Sequence, residues 1–465
     1  MTDWQGLIAD LGDVPVLTDP AQVRQKSRDF YWYSPILKDQ LDDVTADLVV
    51  LARNEADVVR TLRLCYARDI PVTVRAGGTG NYGQAMPLKR GVVLDVTGMT
   101  RIDWIKPGSV RCEAGIKMGA LEDALIAESG QELRFYPSTR KTGTIGGYVA
   151  GGSSGVGSVT WGLLRDRGNV LGLRVVTMEA EPRILELRGD DIQKANHAYG
   201  TNGVITEVEL PLTTAWAWAD VMVAFDDFMT ACRFSQALCE EVGILKKLVT
   251  PIAAPVPQQY FRPLKSHLPD GKHIVLLMIA EQSLEPFEAL LGEWPGEVIY
   301  RRTADELKGK TPLYEFAWNH TTLQALKVDK SITYLQTLFP PPNHLDLVRH
   351  MHEKFGDELP LHLEFVRFAG TIACFGLQIV RYSTEERLRE IIVYHEDHGC
   401  PIFNPHDYTL EGGGMKMVDE VQLAFKREAD PKGLMNPGKM IAWDNPDYAG
   451  EPQRTHLYPA AGASA

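Results

Sequence analysis

The stretch Gly77-Gly-Thr-Gly-Asn-Tyr-Gly83 contains G-x-G-x-x-G, from Gly78 to Gly83, directly after the short run "IPVTVR" (70–75). This motif marks a Rossmann phosphate turn only when its last glycine opens a helix, because the helix N-terminus carries the pyrophosphate. Here "QAMPLKRG" follows, then "VVLD" ending on Asp95. Pro87 and Gly91 leave no room for a helix of three turns. The helical pattern lies upstream instead. "NEADVVRTLRLCYARD" (54–69) has Val58, Val59, Leu62 and Cys65 on one face and Asn54 as a capping residue. The local order is helix, strand, glycine loop, strand, and the context that a Rossmann site requires is absent. An NAD(P) dehydrogenase of that kind stands only as a rival.

The chain has 465 residues, enough for two or more domains with ample cores. Lys plus Arg number 48 against 61 for Asp plus Glu, a net charge of −13, which disfavours nucleic acid as a partner. The start, "MTDWQGLIADLGDVP", shows no basic region followed by an apolar one, and no apolar run is long enough to span a bilayer. The cysteines Cys65, Cys112, Cys232, Cys239, Cys374 and Cys400 are scattered, without C-x-x-C or zinc spacing. Thiols of a cytoplasmic protein are expected. The tail "YPAAGASA" (458–465) is expected to be disordered.

Residues 45–212 read as β-rich. "DLVVLA", "PVTVR", "GVVLDV", "SVRCEAG", "NVLGLRVVTM", "PRILEL" and "GVITEVELPL" are strands. "MGALEDALIAES" (118–129) is a helix with Leu121, Leu125 and Ile126 inward, ended by Gly130. Between them, "YPSTRKTGTIGGYVAGGSSGVGSVTWG" (136–162) is a long stretch of Gly, Ser and Thr, longer than an ordinary loop. From about 213 helices alternate with strands. "DDFMTACRFSQALCEEVG" closes on Gly243 and "PNHLDLVRHMHEKFG" on Gly356. "STEERLREIIVYHEDHG" carries Ser383 and Glu386 in capping-box spacing and ends at Gly399. Three parts are expected: 1–212, 213–425 with an antiparallel sheet, and 426–465. The fold class is α+β.

Backbone N–H groups can bind pyrophosphate without a Rossmann helix if they converge on it, and glycine lets the chain come close. Gly77 to Asn81 and Gly143 to Gly155 supply such groups. Ser138, Thr139, Thr142, Thr144, Ser153 and Ser154 add hydroxyls. Two such loops in one small β-rich region favour a phosphate cradle over ordinary turns.

With these stretches in view, the sequence resembles the FAD-linked oxidases and dehydrogenases of the vanillyl-alcohol oxidase / p-cresol methylhydroxylase (PCMH) type. It is most similar to the branch of glycolate oxidase FAD subunits, D-lactate dehydrogenases and alkyl-dihydroxyacetonephosphate synthase. The stretches that carry the resemblance are 71–102, 143–158, 161–176, 199–212 and "DPKGLMNPGKM" (430–440). The resemblance implies a two-lobed FAD-binding domain and a cap over the isoalloxazine ring. It implies cofactor contacts from Gly77, Gly78, Thr79, Gly80 and Asn81 in the first loop. Pro137, Ser138, Thr142, Thr144, Ile145 and Gly146 would run along the cofactor. Gly151, Gly152, Ser153, Ser154 and Gly155 form the second loop. Gly203, Val204 and Ile205 would meet the adenine side, and Asn436 and Lys439 would lie near the flavin. Some members tether the flavin through a His in the first loop or elsewhere. Thr79 and Asn81 stand here with no His, so non-covalent FAD is expected.

The 2-hydroxy-acid branch often pairs an "HxGDGNxH"-like strand with a later "EHG". The corresponding "LEFVRFAGTIACFGLQI" (363–379) has no His pair, and Glu411 is followed by Gly412 where His is expected. No metal site is expected. The chemistry needs a base for the hydroxyl proton and a donor for a carboxylate or oxyanion. The candidates are His406, Tyr408 and Glu411 in "NPHDYTLEGGG", His320 in "WNHTTL", and Arg367, whose charge interrupts an apolar strand. The expected activity is FAD-dependent oxidation of a small alcohol or 2-hydroxy acid, aromatic ones included. The acceptor is open among oxygen, a quinone, a cytochrome and a partner subunit, and a homodimer is left open. The rival from another class is a subunit that binds FAD only to relay electrons.

Overall fold

The computed structural model describes residues 2–450, apart from 153, 416 and 449. The glycine loop leaves a four-stranded sheet ordered Val16–Leu17, Leu48–Leu51, Val92–Asp95, Val72–Arg75. The last three are parallel and the first is antiparallel to them. Parallel strands covered on both faces read as unbroken apolar runs, which explains "LVVL" and "VVLD". The crossover helix Glu55–Tyr66 joins two of them. Asn54 Oδ1 accepts from Asp57 N at 3.0 Å, and Val58, Leu62 and Cys65 are fully buried. No helix lies between Gly83 and the strand Val92–Asp95.

The second sheet is antiparallel, ordered Ile102–Lys106, Ser109–Glu113, Val204–Thr214, Gly172–Val176, Ile184–Leu187. Gln131–Leu133 pairs the end of the long central strand. The helix Met118–Ser129 stops at Gly130, whose φ is +63°. It buries Leu121 and Leu125, but Ile126 is 45% exposed, because its position rotates past the edge of the buried stripe. The stretch 136–162 is not one loop. It holds two short helices, Ile145–Gly151 and Ser158–Trp161. Thr144 caps the first, its hydroxyl accepting from Gly147 N at 3.3 Å. Glycine is a poor helix former, yet here it is required: a Cβ on Gly146 would stand 2.5 Å from Ala114 Cβ of the neighbouring chain.

Beyond residue 215 a four-stranded antiparallel sheet, Lys246–Ile252, His273–Ala280, Trp218–Phe225, Glu297–Arg302, packs against helices that include Phe228–Glu240. A three-stranded sheet (Thr337–Phe339, Thr371–Gly376, Leu363–Phe368) and the pair Ile332–Tyr334 with Ile379–Arg381 complete this half. The helix Glu385–Asp397 is capped by Thr384, whose hydroxyl accepts from Arg387 N, one residue later than the Ser383/Glu386 box predicts. After the helix Glu420–Ala429 the chain returns to the first sheet. Val72 N donates to Leu434 O and Asn436 N to Val72 O, each at 2.8 Å. The strand Val204–Thr214 runs through position 212, and the helix Glu420–Ala429 runs through position 425. The architecture is α+β, as expected. No described helix is long and apolar enough to cross a membrane.

Candidate active site

One elongated cavity, about 1720 Å³ with its open mouth included, runs between the two halves of the chain. One end is glycine-rich and built by Gly77 to Asn81, Pro137, Ser138, Thr144, Gly146, Gly151, Gly152, Ser154, Gly203 and Ile205. The other end is made by Trp318, Asn319, His320, Gln336 and Phe403. Thr142, Ile145, Gly155 and Val204 lie behind this lining, and Ser153 lies outside the described residues.

The glycine end is made of backbone. Among the described residues, the N–H groups of Gly77, Gly78, Thr79, Gly80 and Asn81 donate to no protein acceptor. Five consecutive donors in a loop without partners are an anion-binding concavity. Side chains would close it: a Cβ on Gly77 would lie 2.7 Å from Thr142 O, and one on Gly152 would lie 1.9 Å from the His197 ring. Asn436 and Lys439 do not line the cavity. They brace it from behind. Asn436 Nδ2 donates to Gln84 O (2.8 Å) and Tyr199 O (2.6 Å), and Lys439 Nζ donates to Gly83 O (2.5 Å). Lys439 is fully buried, and burial lowers its pKa from the usual lysine range; burial likewise raises that of Asp29 nearby.

Sequence reasoning missed several lining residues: Asp29, Arg75, Tyr82, Gln84, Tyr148, His197 and Tyr199. Tyr148 Oη, His197 Nδ1, Arg75 Nε and Trp318 Nε1 are buried without a protein partner among the described residues. Burial, aided by the charge of Arg165, holds His197 neutral, with its pKa down to about 3. The residues flanking the cavity also carry backbone strain: His197, Tyr199 and Trp318 have φ of +57°, +51° and +51°. Non-glycine residues in that region mark places where the surroundings dictate the backbone. Positive φ in a non-glycine residue has no signature in composition.

The catalytic candidates separate. His320 lines the cavity, 9% exposed, with Nδ1 2.8 Å from Glu315 Oε2. Burial works to raise the Glu315 carboxyl, but His320 and Lys141, whose Nζ is 3.2 Å away, hold it below its usual value. His406 is placed differently from the expectation. It is clamped outside the lining: Ser34 Oγ donates to Nδ1 (2.7 Å) and Nε2 donates to Tyr334 O (3.0 Å). Both nitrogens are thereby committed to structure, and burial lowers the pKa of the ring to about 4. Tyr408 is also away from the lining, where Lys439 Nζ stands 4.8 Å from its ring centre. Glu411 is a helix cap: its oxygens accept from Ile441 N and Ala442 N, each at 2.9 Å. Arg367 is half-buried, donates to Gly370 O at 3.3 Å within its own hairpin, and does not reach the cavity. The alternation that put His406 and Tyr408 on one face carries no information about which element covers that face. Among the described residues, no three His, Cys, Asp or Glu side chains converge as for a metal.

A large cavity with an unpartnered N–H loop at one end calls for a long phosphate-containing ligand, and the comparison with known proteins names it. Residues 46–186 match the family described as "FAD binding domain". Over 436 residues the chain is 23% identical to the glycolate oxidase subunit GlcD of Bacillus subtilis, covering 86% of this chain and 89% of that protein. It is 31% identical over 176 residues to a D-lactate dehydrogenase of Archaeoglobus fulgidus, covering 36% of this chain and only 38% of that relative. It is 34% identical over 165 residues to an Escherichia coli D-2-hydroxyglutarate dehydrogenase, covering 33% of this chain and 16% of the relative. A solved alkyldihydroxyacetonephosphate synthase shares the fold, with a TM-score of 0.72 at 15% identity over 94% of this chain and 85% of that one. The resemblance read from the glycine-rich stretches holds, and FAD is the cofactor. The lining fits it: unpartnered backbone donors for the pyrophosphate, and the buried, unpartnered Tyr148 Oη and Arg75 Nε along the way.

Proposed function

We propose that this chain is an FAD-dependent oxidoreductase that oxidises the CH–OH group of a small 2-hydroxy acid. The observation that carries the reading is the His320–Glu315 pair on the wall of the cavity that the glycine loop closes at its other end. FAD, when bound, supplies the hydride acceptor. The chain supplies the rest. The N–H groups of Gly77 to Asn81 hold the pyrophosphate. His320 takes the hydroxyl proton at Nε2, and the Glu315 carboxylate, 2.8 Å from Nδ1, stabilises the imidazolium that forms. Asn319 and Gln336 present amides to the polar groups of the substrate; Tyr82 Oη donates to Gln336 Oε1 at 3.0 Å and fixes that side chain. Three relatives support the substrate class, since their names specify lactate, glycolate and 2-hydroxyglutarate, all 2-hydroxy acids. The glycolate oxidase relatives are named as subunits, which supports reoxidation through a partner chain.

The cofactor is held non-covalently in this reading, because Gly77 to Asn81 offers no His or Cys. Acid precipitation is expected to leave FAD in the supernatant. The activity is tested by adding 2-hydroxy acids and simple alcohols to the FAD-loaded protein without oxygen. At least one 2-hydroxy acid is expected to bleach the flavin. Bleaching by none of them, in a protein that a chemical reductant does bleach, contradicts the reading.

A further inference from the structure

His362 and Glu364 lie two residues apart in extended chain, so both project to one side. That side is the interior beneath the catalytic wall, and the two side chains are 0% and 1% exposed. Glu364 has its oxygens fully committed. Oε1 accepts from Trp318 N at 2.5 Å and stands 2.8 Å from His362 Nε2; Oε2 accepts from Thr250 Oγ1 at 2.6 Å. The Trp318 backbone that it grips has φ +51° and ψ −143°, a conformation rare for a bulky residue. Strain of this kind survives only where several contacts impose it. Immediately after Trp318 begins the helix Asn319–Leu326, whose first two residues also line the cavity.

The indole is the unexplained part. Trp318 is 8% exposed and lines the cavity, and its Nε1 has no protein partner among the described residues. Indole Nε1–H is a donor only, so its partner must be an acceptor that the protein does not supply. The cationic supply is short at the same time. Among the described residues, Arg75 is the single Lys or Arg in the lining. It stands 3.8 Å from Asp95, and its Nη1 and Nη2 donate to Ala76 O and Arg28 O at the glycine-loop end. No Lys or Arg other than Arg75 among the described lining residues is placed to clamp a carboxylate.

We propose that the Trp318 indole N–H binds the carboxylate of the 2-hydroxy acid, and that Glu364 is the positioning residue that presents it by fixing the strained Trp318 backbone. This assignment rests on the proposed substrate class. It makes the carboxylate subsite a neutral donor held by a buried carboxylate, rather than an arginine clamp.

The test uses the FAD-loaded protein and oxalate, an unreactive carboxylate, with binding followed by the change in flavin absorbance. Trp318→Phe is expected to keep its FAD and to weaken oxalate on the order of 10-fold, the scale of a lost hydrogen bond to a charged group. Glu364→Gln is expected to weaken oxalate in the same direction, and Trp318→Phe made on top of it to add little, since both act through one donor. With an oxidised substrate, both variants should raise KM more than they lower kcat. Oxalate binding equally well to Trp318→Phe and wild type overturns the proposal. So does loss of FAD from Trp318→Phe, which would give the indole to the cofactor, and so does a wild type that binds no carboxylate. Oxalate binding needs no turnover, so an enzyme that binds it but oxidises no hydroxy acid sinks the function and leaves the subsite standing.

Discussion

The two ends of the cavity are built in opposite ways. At the glycine end the protein presents its backbone: among the described residues the N–H groups of Gly77 to Asn81 have no protein partner, and a Cβ on Gly77 or on Gly152 would collide with Thr142 O or with His197. At the other end it presents side chains, Trp318, Asn319, His320 and Gln336; Tyr82, distant in sequence, holds Gln336, and Glu315 stands beside His320. The backbone end depends on the absence of Cβ atoms, and that requirement is written into the sequence as glycine. The side-chain end depends on packing, which the sequence does not spell out. His320 and His406 show the difference. Both are buried imidazoles in polar stretches, but one faces a cavity beside a carboxylate while the other is bonded on both nitrogens to Ser34 and Tyr334.

The contrast breaks most visibly at Gly152. Its φ is +67° and a Cβ there would meet the His197 ring, so Gly152→Asp combines strain, collision and a negative charge beside the phosphate cradle. A folded protein with little flavin is expected, read as flavin absorbance per mole of protein with circular dichroism as the control for folding. Full FAD content would mean that the second loop does not shape the cradle.

A smaller effect sharpens the contrast between the two histidines. Burial lowers His406 to about 4 from the usual 6.5, so between those values the unfolded chain binds a proton that the folded one does not. Stability contributed by neutral His406 is complete above about pH 6.5 and is lost as pH falls toward 4; His395, lowered to about 4 by burial, acts in the same window. The melting temperature of the wild type should fall across this window. In His406→Asn it should start lower and fall less steeply. A parallel fall in both proteins would show that His406 is not held neutral.

The smallest effect belongs to Arg367. With its guanidinium on a hairpin carbonyl and outside the lining, Arg367→Ala should change stability by less than about 0.5 kcal/mol and leave substrate KM unchanged. A large rise in KM would restore the substrate-anchor role that its strand position first suggested.

What could be read in advance follows the same division. The crossover helix with its Asn54 cap, the absence of a helix between Gly83 and the strand Val92–Asp95 and the stop at Gly130 are local rules, and the chain obeys them. The helix Ile145–Gly151 escaped because its glycines are there for close approach to Ala114, a tertiary reason that overrides propensity. Ile126 and the Ser383 box missed by one position on the helix, as element edges do. Among site residues, the glycines were found, while Tyr148, His197 and Tyr199 were not. Single aromatic or imidazole residues acquire meaning only when the fold sets them in one wall.

The central claim is that His320, and not His406, handles the substrate proton. It is tested most directly by anaerobic stopped-flow reduction of the bound flavin, with a 2-hydroxy acid that bleaches the wild type, in His320→Asn and His406→Asn side by side. This half-reaction does not involve the electron acceptor. His320→Asn is expected to keep FAD and slow reduction by about 10²-fold or more, the scale of a lost general base. His406→Asn should reduce at close to the wild-type rate at a temperature where it remains folded. A slow His406→Asn beside a normal His320→Asn would contradict the account.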